Sequence, residues 1–210
     1  IVMRRIFIGT ALFSLLIISI TWAFVKPVAA AGKGEALYKK ECAVCHGAEG
    51  KGDGPAADFL FPKPRNFVSG AFKFRSTPSG SPPTDQNLFR TITRGLPGSA
   101  MPSFAHLSEG DRQELVAFVK QLANIQEKPE RVISVPPSPP VTPKVLEQGK
   151  EVYLKMKCWE CHGFEGKGDG PKATDQVDDW GFPAPPADYT RGVFKGGAEP
   201  SEIYLRFTTG

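Results

Sequence analysis

The chain has 210 residues, enough for one or two domains. Its 40% hydrophobic and 23% charged content is that of a globular protein, and 22 Gly and 20 Pro point to many loops. The net charge of +4 is mild, and no basic stripe or aromatic platform accompanies it, which argues against a nucleic-acid partner.

Residues 1–31 read as a targeting segment. Arg4 and Arg5 form a positive start, and Ile6 to Val25 carries no charge. Val28, Ala29, Ala30 and Ala31 then offer the small residues of a cleavage site. The apolar run is longer than a usual signal core and just long enough to span a bilayer. A cleaved signal peptide and an uncleaved signal anchor both fit. Either way the positive-inside rule sends the remainder of the chain outward, to the periplasm or the outer face of the cytoplasmic membrane.

Residues 32–126 form a first domain. Gly34 to Tyr38 begins a short helix that leads into Cys42-Ala43-Val44-Cys45-His46. Near its end, Ser108-Glu109-Gly110-Asp111 resembles a capping box, with Asp where Glu is usual. It opens a helix whose Leu115, Val116, Phe118, Val119 and Leu122 make one apolar face. Between these helices Gly and Pro punctuate the chain, and no strand pattern appears.

Residues 127–143 are a linker with Pro129, Pro136, Pro137, Pro139, Pro140 and Pro143, a composition that favours an extended, semi-rigid spacer. A second domain, 144–210, then repeats the first. Gly149 to Tyr153 matches Gly34 to Tyr38, and Cys158-Trp159-Glu160-Cys161-His162 matches the first cysteine motif. Gly166-Lys167-Gly168-Asp169-Gly170-Pro171 repeats Gly50 to Pro55 residue for residue, and Ile203 to Gly210 parallels Leu88 to Gly95. The chain is an internal duplication whose second copy stops early, which reads as a C-terminally truncated fragment.

All 4 cysteines of the chain lie in the two Cys-x-x-Cys-His runs, the signature of covalent haem attachment. Two thiols one turn apart add to the vinyl groups of one haem, and the next histidine comes under the iron. Two alternatives fit less well. A thioredoxin-like pair needs a βαβ setting and leaves the histidines incidental. A four-cysteine zinc site leaves two identically placed histidines unexplained.

On these motifs the sequence resembles the class I c-type cytochromes, as a tandem dihaem protein. The resemblance implies an all-α fold: two cytochrome c-like helical domains joined by the Pro-rich linker, after the N-terminal apolar segment. It implies two haem c groups with iron, attached at Cys42, Cys45, Cys158 and Cys161, with His46 and His162 as proximal ligands. It also implies that Gly34 and Tyr38 meet Phe118. The family's distal ligand is a methionine before the last helix, which maps to Met101, with His106 as rival. A proline carbonyl that orients the proximal histidine maps to Pro55 and Pro171. Arg65 could pair with a haem propionate or be a solvated surface charge, since the second copy has Ala187 at that place. Gly210, the counterpart of Gly95, is the last residue, and Met156 lies two residues before Cys158 on the proximal side. The second haem therefore has no distal ligand in this chain.

The functional expectation is electron transfer between a redox donor and acceptor outside the cytoplasmic membrane. By itself the chain is read as a carrier and not an enzyme. The first alternative is a subunit of a larger redox enzyme or terminal oxidase in a membrane complex. The second is a haem enzyme that uses an open distal site on haem two. Asp53 and Asp169, in the glycine loops, are assigned to turns.

Overall fold

The computed structural model describes residues 32–178 and 180–210; the targeting segment lies outside the described residues. Helix α1, Lys33–Glu41, buries only Gly34 and Tyr38 and exposes its lysines. It is crossed by α4, Glu109–Leu122, which buries Leu115, Val116 and Val119. The crossing depends on Gly34, because a Cβ there would collide with the backbone carbonyl of Glu114. Tyr38 packs its ring 5.2 Å from that of Phe118. The expected meeting of these three residues is what the structure contains.

Ser108 starts α4 by accepting from the Asp111 amide at 3.1 Å. Only this half of the capping box is formed in the expected way. The Asp111 carboxylate turns to Lys33 on α1, at 2.5 Å. That pair, beside the Ser108 bond, holds the Asp111 carboxyl below its ordinary range.

Two short elements lie between. Helix α2 is the single turn Ala43–His46, and a 3₁₀ turn covers Ala57–Phe59. Helix α3, Asp85–Arg94, lies in the Gly- and Pro-punctuated stretch between α1 and α4, for which no element was expected. Its signal is Thr84 and Asn87, which cap each other reciprocally, and its buried Leu88 and Ile92 join the core with α4.

The proline-rich stretch runs along the first repeat's surface, where the Ile133 amide bonds the Ser76 carbonyl at 2.7 Å. Helix α5, Pro143–Lys155, is capped by Thr142 and buries no residue. Its Leu146, Val152 and Leu154 are exposed. Helix α6 is the turn Trp159–His162, and Tyr189–Arg191 is a second 3₁₀ turn. Helix α7, Pro200–Thr209, buries Glu202, Leu205 and Thr209. Among the described residues the sole β pairing is an isolated bridge, Val177 to Pro183. The fold is all-α with cytochrome c-like repeats, as expected.

Ala31–Gly210 is one compact unit, so the linker does not hold the repeats apart. Helix α7 binds the first repeat through arginines. Arg90 on α3 pairs with the Glu202 carboxylate through both terminal nitrogens and donates to the Gly196 carbonyl at 3.1 Å. Arg206 donates to the Arg75 carbonyl at 2.6 Å and to that of Lys73. Arg75 donates to the carbonyl of Thr209.

Candidate cofactor site

The two Cys-x-x-Cys-His segments fold alike. Cys42 ends α1, and the His46 amide bonds the Cys42 carbonyl at 2.9 Å, so Cys42, Cys45 and His46 share one helical turn. In the second repeat the His162 amide bonds the Cys158 carbonyl at 2.9 Å. All four thiols are unpaired. Burial, aided by Glu41 and Cys45, pushes the Cys42 thiol up to about 12. Among the described residues no three His, Cys, Asp or Glu side chains gather as a metal site, so the two cysteine pairs do not form a shared zinc centre.

The glycine loops fold back over these turns. The Gly52 amide bonds the His46 carbonyl at 2.8 Å, and Gly168 bonds that of His162 at 2.8 Å. Gly47, at φ +78°, receives the Asp53 carboxylate where a side chain would sit, and Gly163 receives Asp169 the same way. Gly54 and Gly170 lie against the carbonyls of α2 and α6, where any Cβ would collide. The tyrosines of the preceding helices close the motif: Tyr38 donates to the Gly47 carbonyl at 2.8 Å and Tyr153 to that of Gly163 at 2.6 Å.

The motif histidines are oriented, but not by the prolines. His46 Nδ1 lies 3.0 Å from the Arg65 carbonyl, and His162 Nδ1 lies 3.0 Å from that of Ala187. The expected acceptors, Pro55 and Pro171, are thus replaced. The reason is in the chain path. After Gly54 the backbone turns toward α2, with Ala56 bonding the Val44 carbonyl at 2.9 Å. It returns when the Phe67 amide bonds the Gly50 carbonyl at 2.7 Å, which brings Arg65 under the ring. Tyr189 bonds the Gly166 carbonyl at 2.7 Å and does the same for Ala187. Since a carbonyl only accepts, Nδ1 donates in both, which leaves Nε2 as the acceptor nitrogen of each ring. Burial pulls His46 below its ordinary range, against the opposite pull of the Arg65 carbonyl.

Two aromatic residues at the histidines were not expected. Phe67 stacks on His46 with centroids 4.5 Å apart, and Tyr189 stacks on His162 at 4.4 Å. The Tyr189 hydroxyl lies 2.9 Å from His162 Nε2. Their signal was the matched run Pro64 to Phe67 and Pro186 to Tyr189, which aligns the two aromatics.

Met101 is partly buried and packs against the core that includes Phe67 and Tyr38. Its loop is closed by the Leu96 amide on the Met101 carbonyl at 3.1 Å, and Gly95, at φ +67°, lies against the Met101 and Pro102 backbone. His106 is exposed and sits 6.0 Å from the Phe104 ring. Gly210 caps α7 at φ +80°, as Gly95 caps α3. Met156 is exposed at the end of α5.

The donor set suits a haem tethered at each motif: paired free thiols on one turn, then a neutral imidazole with a carbonyl on its other nitrogen. The sequence pattern of the family described as cytochrome c matches residues 31–123 and 146–199. Subunit FixP of a cbb3-type cytochrome c oxidase from Sinorhizobium medicae (strain WSM419) is 28% identical over 149 residues, 67% of this chain and 41% of that protein. This chain therefore spans about two fifths of that relative's length. A chain of the Kuenenia stuttgartiensis reducing HAO-like protein complex Kustc0457/Kustc0458 is 49% identical, with a TM-score of 0.81 over 85% of this chain and 82% of that one.

Proposed function

This chain belongs to the cytochrome c family, and from that premise we propose that it carries two covalently bound haems and transfers electrons between redox partners outside the cytoplasmic membrane. One observation carries the reading: the Cys-x-x-Cys-His turn occurs twice, each time with its histidine pinned through Nδ1 by a backbone carbonyl. When bound, each haem supplies an iron that alternates between ferric and ferrous.

The residues divide the work. Cys42 with Cys45, and Cys158 with Cys161, tether the two groups by thioethers. His46 and His162 ligate the irons through Nε2. Met101 is the distal ligand of the first site; its partial burial against the core supports it over the exposed His106. A thioether favours ferrous iron and raises the potential. The loops that end at Pro55 and Pro171 fold back on the two turns and hold their shape. The Arg65 side chain is the candidate partner of a propionate.

A second reading has a specific support. Both similar proteins carry names of redox assemblies, an oxidase subunit and an HAO-like complex. On this reading the chain is the electron-transfer part of a larger redox complex at the membrane. The charged start and apolar run of residues 1–31 support export in either case.

The test is intact mass after co-expression with haem-maturation machinery. The expected result is the processed polypeptide plus two haems. A mass with one haem or none overturns the dihaem reading. Alkaline phosphatase fused after residue 126 should be active, because it needs an oxidising compartment. A stable, inactive fusion refutes export.

A further inference from the structure

We propose that the two haem sites exchange electrons across a contact between the Met101 loop of the first repeat and the turn Val193–Phe194 of the second. The inference rests on the electron-transfer reading above and names the residues that join the sites.

The contact is continuous. A Cβ at Gly98 would lie 3.0 Å from Val193 Cγ1, so the two loops touch at a point where the first has no side chain. Gly98 and Met101 belong to one tight loop, closed by the bond from the Leu96 amide to the Met101 carbonyl at 3.1 Å. Beyond Val193, the Phe194 ring stacks on Tyr189 with centroids 5.8 Å apart and planes 14° apart. Tyr189 in turn stacks on His162 at 4.4 Å and 19°. The packed atoms thus run from the loop of the first site's distal ligand to the proximal ligand of the second.

The internal repeat shows that the stack itself is a shared device. In the first copy Phe72 stacks on Phe67 at 6.0 Å, and Phe67 on His46 at 4.5 Å. Phe72 comes after Phe67 by the same spacing as Phe194 after Tyr189. What the second copy adds is Val193, where the first has Ala71, and its reach to Gly98. The contact is also held from both sides. Arg90 grips Glu202 and the Gly196 carbonyl, next to Lys195, while Arg206 bonds the Lys73 and Arg75 carbonyls. Buried pairs of this kind fix a geometry more than they add stability. The step itself is one electron: one iron goes from ferrous to ferric as the other goes from ferric to ferrous, with no proton or further reactant.

The repeats also meet at Trp180, whose ring would be 3.2 Å from a Cβ at Gly52, and at Phe182, 6.3 Å from Phe61. This second meeting point supplies the control. In the full-length holoprotein, inter-haem exchange is measured by flash photolysis of the half-reduced, carbon monoxide-poised form. Phe194→Ala should slow it by about tenfold or more, about 1.4 kcal/mol on the barrier. Phe194→Trp should restore it, and Trp180→Ala should leave it unchanged. Hydrogen exchange at the amides of residues 96–101 should be the same in wild type and Phe194→Ala, since Val193 still covers the loop. Unchanged exchange between haems in Phe194→Ala, with both haems still reducible by a small-molecule donor, overturns this contact and leaves the electron-transfer reading standing. Slowing by Trp180→Ala in place of Phe194→Ala also overturns it. If Phe194→Ala exposes the 96–101 amides and Phe194→Trp does not rescue the rate, Phe194 is only a docking residue and the proposal fails. Failure of either haem to cycle would bring down the electron-transfer reading itself.

Discussion

Breaking the Arg90–Glu202 pair should reveal which partner is the more costly to strand. The pair joins helices α3 and α7 across 112 residues of sequence and is bidentate. The Arg90 side chain is 32% exposed and the Glu202 side chain 9%. Removal of one partner from a buried pair costs about 3–5 kcal/mol, because a charge is left without compensation in low dielectric. That cost depends on how well the survivor can hydrate. In Glu202→Gln the stranded guanidinium keeps the Gly196 carbonyl and reaches water, so about 1.5 kcal/mol is expected, near the low end for a charged hydrogen bond. In Arg90→Gln the stranded carboxylate is nearly closed off from water, with Arg206 as a remaining cationic neighbour. About 3 kcal/mol is expected there. The double variant should lose less than the sum, with a coupling of about 1 kcal/mol or more. Urea unfolding of the holoprotein, monitored by haem absorbance and far-ultraviolet circular dichroism, measures all three. If Glu202→Gln proved as costly as Arg90→Gln, or the two effects simply added, the argument from stranded charge would be refuted.

Single contacts set the other expected outcomes. Gly34→Ala should destabilise by about 1–3 kcal/mol through overpacking against the Glu114 carbonyl, read by thermal unfolding. Tyr38→Phe should cost about 0.5–1.5 kcal/mol by removing a buried hydrogen bond to the Gly47 carbonyl, which keeps its bond from the Gly50 amide, and Tyr153→Phe less, as judged by denaturant midpoints. Met101→Ala should lower the potential of the first haem and speed its carbon monoxide binding, while His106→Ala should do neither; spectropotentiometry and stopped flow decide.

Much of this was legible in the sequence because its signals are local. The Cys-x-x-Cys-His turns, the repeated glycine loop and the α4 apolar face are each set within a few residues of sequence. Gly34 and Tyr38 could be paired with Phe118 only through the family resemblance, and the structure makes that contact. The acceptors for the histidines were misread for a physical reason. Every residue carries a backbone carbonyl, so side-chain identity does not mark Arg65 or Ala187 as the one that arrives. Helix α3 was hidden by its short apolar pattern between proline-rich turns. The arginine lock was beyond reach because Arg75, Arg90 and Arg206 look like solvated charge until α7 is known to pack on the first repeat.

The two copies differ least around the cysteines and most around what covers them, and this difference gives the sites separate characters. The cysteine turns, the carbonyl on Nδ1 and the tyrosine on the glycine carbonyl are the same in both. Around the first, Tyr38 and Leu115 are fully buried and Met101 packs against the same core. Around the second, a tyrosine replaces Phe67 over the histidine and sets its hydroxyl 2.9 Å from His162 Nε2. Burial and the ligand set are the protein's main levers on haem potential. On the dihaem reading proposed above, the Tyr189 hydroxyl at His162, against the phenyl ring of Phe67 at His46, is a difference in surroundings that would set the two potentials apart. Joined by the arginine-held contact, two such unequal sites would give an electron a preferred resting place, and that would distinguish a relay from two independent carriers on one chain.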